Sequence, residues 1–245
     1  MPERSRRLFK FLRKKDLHYV TVSNTLKLAS PEYYEREYQG MEVKDPKIND
    51  PNEGVLVHIQ DRDIDSSVEI TERERILLDR FVGPNVQGKF SRNVFSSRVG
   101  GFHMLCLCLG ELEELVATFR HVPGPDGSVQ SYDACVEIID EQGLGTQILR
   151  HSTVVECPPR VGTPLKKYVS QVGCANVVYE PIVHSWRSGP LDPSPFRKDP
   201  SFADQRERRM IFPWRPSLQA PGSVPETLLV YVPDLNRFIR EVPLD

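Results

Sequence analysis

Proline limits what this chain can fold into more than any other residue type. It stands at 21 of 245 positions, about 9% against a usual ~5%, and eleven of the 21 lie from Pro181 onward. Inside a helix, a proline removes a hydrogen bond and clashes with the preceding turn, at a cost of about 3 kcal/mol or more. A coiled coil or a regular helix bundle is therefore excluded, and the absence of a Gly-X-Y period excludes collagen. A fold of many short elements remains. Apolar residues at 39%, with 11 Phe and 8 Tyr, supply a real core and argue against a mostly disordered chain.

The order of patterns gives that fold a class. Arg4 to Lys15 reads as a short amphipathic helix, with Leu8, Phe11 and Leu12 on one face and cations around them. His18–Ser23 and Leu26–Ala29 read as strands. Ser30-Pro31 then opens a brief helix carrying Tyr33, Tyr34 and Tyr38. Further strands are expected at Gly54–Ile59 and Ser67–Ile70, followed by a helix from a capping box at Thr71 and Glu74. The continuous apolar run Phe102–Leu109 reads as a buried central strand. A helix over Glu111–Phe119 and strands at Ala134–Ile139, Val177–Trp186 and Arg209–Phe212 come next. Pro200–Gln205 makes one helical turn, and Leu228–Val232 and Phe238–Val242 form a terminal strand pair. This is an α+β pattern of short, mostly antiparallel or mixed strands with few short helices. It divides into a basic N-terminal helix at 1–15 and a single domain at 16–245, with a Pro-rich segment at about 186–225.

The formal charge of −2 is a sum of unlike parts. Residues 1–15 carry seven basic and one acidic side chain, whereas residues 16–80 carry eight basic and fifteen acidic ones. The basic segment either contacts nucleic-acid phosphates or docks on the acidic segment that follows. No apolar run of about 18 residues exists, so no membrane association is expected. Five unevenly spaced cysteines do not make a disulfide framework, and a cytoplasmic location is expected.

Several chemistries lack their motif: there is no P-loop, no G-x-G-x-x-G, no H-E-x-x-H and no G-x-S-x-G. Cys106 and Cys108 form only C-x-C on one strand face, which reads as core packing, and no metal site is expected. Two features stand out. Four of the eight tyrosines lie between residues 19 and 38, either as stacking surfaces for a planar ligand or as a cover over the core. Gln205 and Glu207 sit two apart where a turn becomes an apolar strand. There they either bind sugar hydroxyls and steady a developing cation, or form a charged strand edge with Arg206, Arg208 and Arg209.

Gln205-Arg206-Glu207, followed by Met210-Ile211-Phe212-Pro213, resembles the Gln/Glu-x-Glu motif of mono-ADP-ribosyltransferases. The resemblance implies a split two-sheet core with NAD as substrate in the cleft. Glu207 is then the catalytic residue at the nicotinamide ribose, and Gln205 is its substrate-orienting partner. His18 with Tyr33 or Tyr34 is similar to the histidine–tyrosine–glutamate version of the site, although Tyr19 stands where a glycine usually follows the histidine. Ser96 in Phe95-Ser96-Ser97 is similar to the serine version, without a clear partner arginine. The implied protein is a bacterial toxin or phage-defence effector with a protein or nucleic-acid acceptor and an antitoxin or other partner protein.

A second resemblance overlaps the first. Ser30-Pro31, Asn49-Asp50-Pro51-Asn52-Glu53 and Arg197-Lys198-Asp199…Glu207-Arg208-Arg209 are similar to an uncharacterised bacterial and phage-borne family with an early N-D-P-x-E and a late F-x-K-D…E-x-R pattern. It implies one catalytic or binding domain and names no reaction. Two alternatives stand beside the transferase. One is a non-catalytic binding or assembly component of a prophage or defence system. The other is a nuclease using Asp50, Glu53 and Glu207 around a divalent metal.

Overall fold

The computed structural model describes residues 7–34, 100–119, 132–157, 160–181, 194–218 and 224–244, together with the strand backbones at 55–59, 86–91, 94–99 and 183–185. The strands, in chain order, are β1 (Arg7–Leu12), β2 (Thr25–Ala29), β3 (Val55–Ile59), β4 (Val86–Ser91), β5 (Val94–Val99), β6 (Phe102–Gly110), β7 (Ala134–Ile138), β8 (Thr153–Glu156), β9 (Gly173–Asn176), β10 (Val178–Tyr179), β11 (Val183–Ser185), β12 (Arg197–Lys198), β13 (Glu207–Pro213), β14 (Thr227–Tyr231) and β15 (Ile239–Val242). The α-helices α1 (Lys14–Thr21), α2 (Leu112–Phe119) and α3 (Glu141–His151) accompany them, and residues 31–34, after Ser30, are helical as well. The class is α+β and mostly antiparallel, and only the pairs β3–β11 and β10–β12 are parallel.

β6 organises the main sheet, whose order is β15-β7-β1-β6-β2-β14-β8. Its other edge carries β13 along its whole length, from Glu207 opposite Cys108 to Pro213 opposite Phe102, and β9 lies beyond β13. The apolar run at 102–109 is continuous because both faces of β6 are covered. Leu105 and Leu107 join a core with Leu28, Met210 and Trp214, closed by Leu144 and Ile148 of α3. Cys108, on the other face, packs with Phe9, Phe11, Cys135 and the α2 residues Leu115 and Phe119. Strand alternation sorts these residues, since side chains two apart share a face.

Three readings of the sequence need correction. Residues 7–12 of the expected N-terminal helix form β1, paired with β6 and β7. Leu8 enters one core cluster and Phe9 and Phe11 the other, so a strand buried on both faces mimics helical spacing. Most of the acidic stretch on which these cations were expected to dock lies outside the described residues. Arg7 forks onto Glu137 of β7 at 2.7 and 2.8 Å. His18 to Thr21 are helical, although β-branched residues usually prefer strands; α1 buries only Val20 and is held by its place against β2 rather than by propensity. The two C-terminal strands exist but do not pair: β14 lies between β2 and β8, and β15 joins β7. Helix α3 was not anticipated. Asp140 caps it by accepting from the Gly143 N–H at 2.8 Å. The expected strand at 67–70 and helix from Thr71 lie outside the described residues.

Candidate functional site

The Gln205–Glu207 pair is built by a turn and a strand. Asp199 caps the 3-10 turn Pro200–Gln205 by accepting from the Ser201 N–H, and Pro200 supplies the fixed φ of a helical start. Arg206 closes the turn in the left-handed conformation, φ 45° and ψ 48°. That is uncommon for a residue with a Cβ. Its side chain crosses to Glu114 of α2. β13 then begins at Glu207, whose N–H donates to the Tyr179 hydroxyl at 2.6 Å.

Both members of the pair are buried, and one ammonium joins them. Lys198 of β12 is 4% exposed and donates to Gln205 Oε1 and to Glu207 Oε2, each at 2.9 Å. Arg209, fully buried and on the same strand face as Glu207, donates from Nε to Glu207 Oε1 at 2.7 Å and from Nη2 to Oε2 at 3.2 Å. A further Arg209 nitrogen donates to the Pro195 carbonyl. Burial alone pushes the Glu207 carboxyl up, but Arg209 and Lys198 outweigh it and hold the group well below the usual carboxylate range. The Tyr179 hydroxyl beside it is pushed up to about 12, mainly by burial.

These groups line a cavity of about 90 Å³ that also receives Lys10 of β1, Tyr34 and Tyr132. Tyr34 Oη stands 3.5 Å from Cys106 Sγ. Cys108 lines the same cavity and stays a thiol, because burial first and Glu207 second raise its pKa. Burial likewise pushes Tyr132 up to about 12. Lys10, Phe11, Tyr34 and Tyr132 also line a larger pocket of about 520 Å³, so the two spaces share a wall.

The structure thus brings Gln205, Glu207 and Tyr34 to one cavity across 170 residues of chain. It leaves others apart. His18 is exposed on α1, with Nδ1 against the Lys15 carbonyl at 2.9 Å and its ring 3.9 Å from that of Tyr19. It lines neither space. Tyr33 faces the larger pocket alone, and its hydroxyl accepts from Lys27 at 2.5 Å. The Ser96 backbone lies on β5 opposite Val57 and Lys89, and its side chain lies outside what is described. Asp50 and Glu53 lie outside the described residues. Among the described residues, no group of three or more His, Cys, Asp or Glu is placed to hold a metal.

Arg209 pairs with Glu207 as the charged-edge reading expects, and Lys198 is the partner that reading does not name. Its signal was nonetheless present: the K of F-x-K-D and the E and R of E-x-R are the three members of one buried ion-pair network. No family model, curated protein or solved structure matches the chain. Among the described residues, no helix is long and apolar enough to cross a membrane.

Proposed function

We propose that this chain binds an anionic nucleotide of the NAD type, with a phosphate or carboxylate seated in the small cavity around Lys198 and the rest of the ligand in the larger pocket that shares its wall. One observation supports this above the rest: the charged residues lining the cavity are Lys10, Lys198 and Glu207, two cations against one carboxylate. A partly enclosed site with an excess positive charge favours a phosphate or carboxylate. Tyr34, Tyr132 and Phe11 add ring faces for a planar base, and two of them add hydroxyls.

ADP-ribosyl transfer is a second reading, favoured by the shared presence of Gln205, Glu207 and Tyr34. In it, Glu207 steadies positive charge on the ribose as the nicotinamide bond breaks, Gln205 orients the acceptor and Tyr34 frames the nicotinamide. The toxin or defence role, the protein or nucleic-acid acceptor and any antitoxin partner belong to this reading. It carries a condition. Both Glu207 oxygens already accept from Arg209 and Lys198, and an ammonium beside the ribose opposes a developing cation. Lys198 must therefore leave Glu207 for a phosphate of the bound nucleotide before transfer.

Calorimetric titration with NAD, ADP-ribose and adenosine tests the binding. NAD and ADP-ribose should bind at least tenfold more tightly than adenosine, and Lys10→Ala should remove most of that difference. Equal affinities, or no binding at millimolar NAD, overturn the reading. Transfer of labelled ADP-ribose from NAD to lysate components decides the second reading. Glu207→Gln, assayed on protein shown to be folded, should then lose ~10²–10³ in rate. Binding without transfer leaves the protein a nucleotide binder.

A further inference from the structure

The larger pocket has a composition of its own. Tyr19, Tyr33, Tyr34 and Tyr132 line its walls with Phe11. Four cations, Lys10, Arg13, Lys15 and Lys27, stand around them, against two carboxylates, Asp16 and Glu156. The elements explain the assembly. β1 delivers Lys10 and Phe11, the start of α1 delivers Arg13 and Lys15, and the chain after β2 delivers the Tyr33–Tyr34 pair, whose rings meet edge to face at 5.6 Å. Phe11 and Tyr132 pack on Phe119 and Lys27 lies over the Tyr33 ring, whereas Tyr19 is 45% exposed with its ring 3.9 Å from that of His18, so Tyr19 is the ring a base reaches most freely.

From this composition we infer that the 520 Å³ pocket is a binding site for single-stranded nucleic acid, taking an unpaired base against its tyrosines and the flanking phosphates on its cations. Each component has a reason. Every base has a π-face, so aromatic walls accept bases with little regard to sequence. Lys and Arg at the rim follow the phosphate chain. A concave chamber admits a base only when it is free of its partner strand, which excludes a duplex. A sugar polymer has no use for four cations, and a membrane surface calls for exposed apolar residues on a convex face rather than rings inside a hollow. The site shares Lys10, Phe11, Tyr34 and Tyr132 with the Lys198 cavity, so a nucleotide bound there should compete with the oligonucleotide, whereas Tyr19, Arg13 and Lys15 belong to the larger pocket alone.

The test is fluorescence anisotropy of the full chain with a labelled oligothymidylate of about twelve nucleotides. Binding should weaken from about 50 to 200 mM salt, with a log–log slope near −2 if Lys10, Arg13 and Lys15 each contact a phosphate at about 0.7 per contact, Lys27 being held by Tyr33. Tyr19→Ala should weaken binding about tenfold, within the ~5–150-fold range for one stacked base. The paired change Arg13→Ala with Lys15→Ala should reduce the slope by about 1.4. Tyr231→Ala, an exposed tyrosine outside the pocket at 39% exposure, should change nothing. The inference is overturned by absence of binding, by equal affinity for the duplex, by a polyphosphate competing as well as the oligonucleotide, or by Tyr19→Ala matching the parent. Oligonucleotide binding by a chain that ignores NAD and ADP-ribose supports this site and removes only the function proposed for the Lys198 cavity.

Discussion

Replacing Glu207 by glutamine should destabilise the fold by about 3–5 kcal/mol, the usual cost of breaking a buried ion pair from one side. The structure places this case at the severe end. The variant leaves Lys198, 4% exposed, and Arg209, fully buried, without their shared carboxylate. Arg209 cannot escape by deprotonation, because the guanidinium holds its proton at any ordinary pH. Glutamine keeps the shape and one acceptor oxygen, so the loss reports charge more than volume. In urea denaturation, a slope of about 3 kcal/mol per M turns that loss into a midpoint shift of roughly 1–1.7 M.

A second substitution makes the argument specific. Adding Lys198→Met to Glu207→Gln removes one stranded cation and should recover part of the loss, with a coupling above about 1 kcal/mol in the double-mutant cycle. The pH dependence gives an independent reading. The folded-state pKa of Glu207 lies below its unfolded value, so its contribution is present above pH ~4.5 and is lost as pH falls through that value toward the folded one. Glu207→Gln should therefore flatten the acid limb of the stability curve. A loss under 1 kcal/mol, or strictly additive single and double variants, would falsify the claim that these three residues act as a unit.

Two further predictions use other buried groups. His103 is fully buried, accepts at Nδ1 from Trp214 Nε1 at 2.7 Å, and has its pKa lowered to about 3, chiefly by burial. A depressed histidine stabilises the neutral side of its titration, so stability should fall as pH drops below ~6.5, by on the order of 3 kcal/mol by pH 4; His103→Gln, followed by denaturation between pH 7 and 5, should lack that slope. Glu137 is also clamped by two arginines, Arg7 and Arg240, but those side chains are 39% and 63% exposed. Because Glu137 itself is buried while its arginines are screened by solvent, Glu137→Gln should cost about 1–2 kcal/mol, less than Glu207→Gln, and respond to salt.

The contrast between those two carboxylates also shows where sequence reading succeeds. Local, repeated signals were legible. The run at 102–109 declared β6, Pro200–Gln205 declared the turn before β13, and the apolar stretch Arg209–Phe212 declared β13 itself. Patterns with two solutions were not. Leu8, Phe11 and Leu12 satisfy helical spacing, yet Phe9 between them is fully buried, and only pairing with β6 and β7 chooses the strand. α3 was hidden by Gly143 and Gly145. Gly145 in fact suits its place, because a Cβ there would stand 3.4 Å from Met210 Sδ and from Val172.

The candidate site divides in the same way. Glu207 and Arg209 are two apart on an extended strand, so their shared face, and hence their ion pair, follows from β13 alone. Lys198 reaches them only because β12 pairs in parallel with β10, setting Lys198 beside Tyr179, whose hydroxyl in turn accepts the Glu207 N–H. No local pattern encodes that pairing. Its consequence is chemical. Without Lys198, Gln205 and Glu207 would be an amide and a carboxylate at a strand mouth, suited to a sugar. With Lys198 between them, they form the floor of a site whose lining carries more positive than negative charge. In the proposed nucleotide site, phosphate and sugar recognition would be linked through one ammonium, and the affinity ratio of ADP-ribose to adenosine would measure the phosphate contribution.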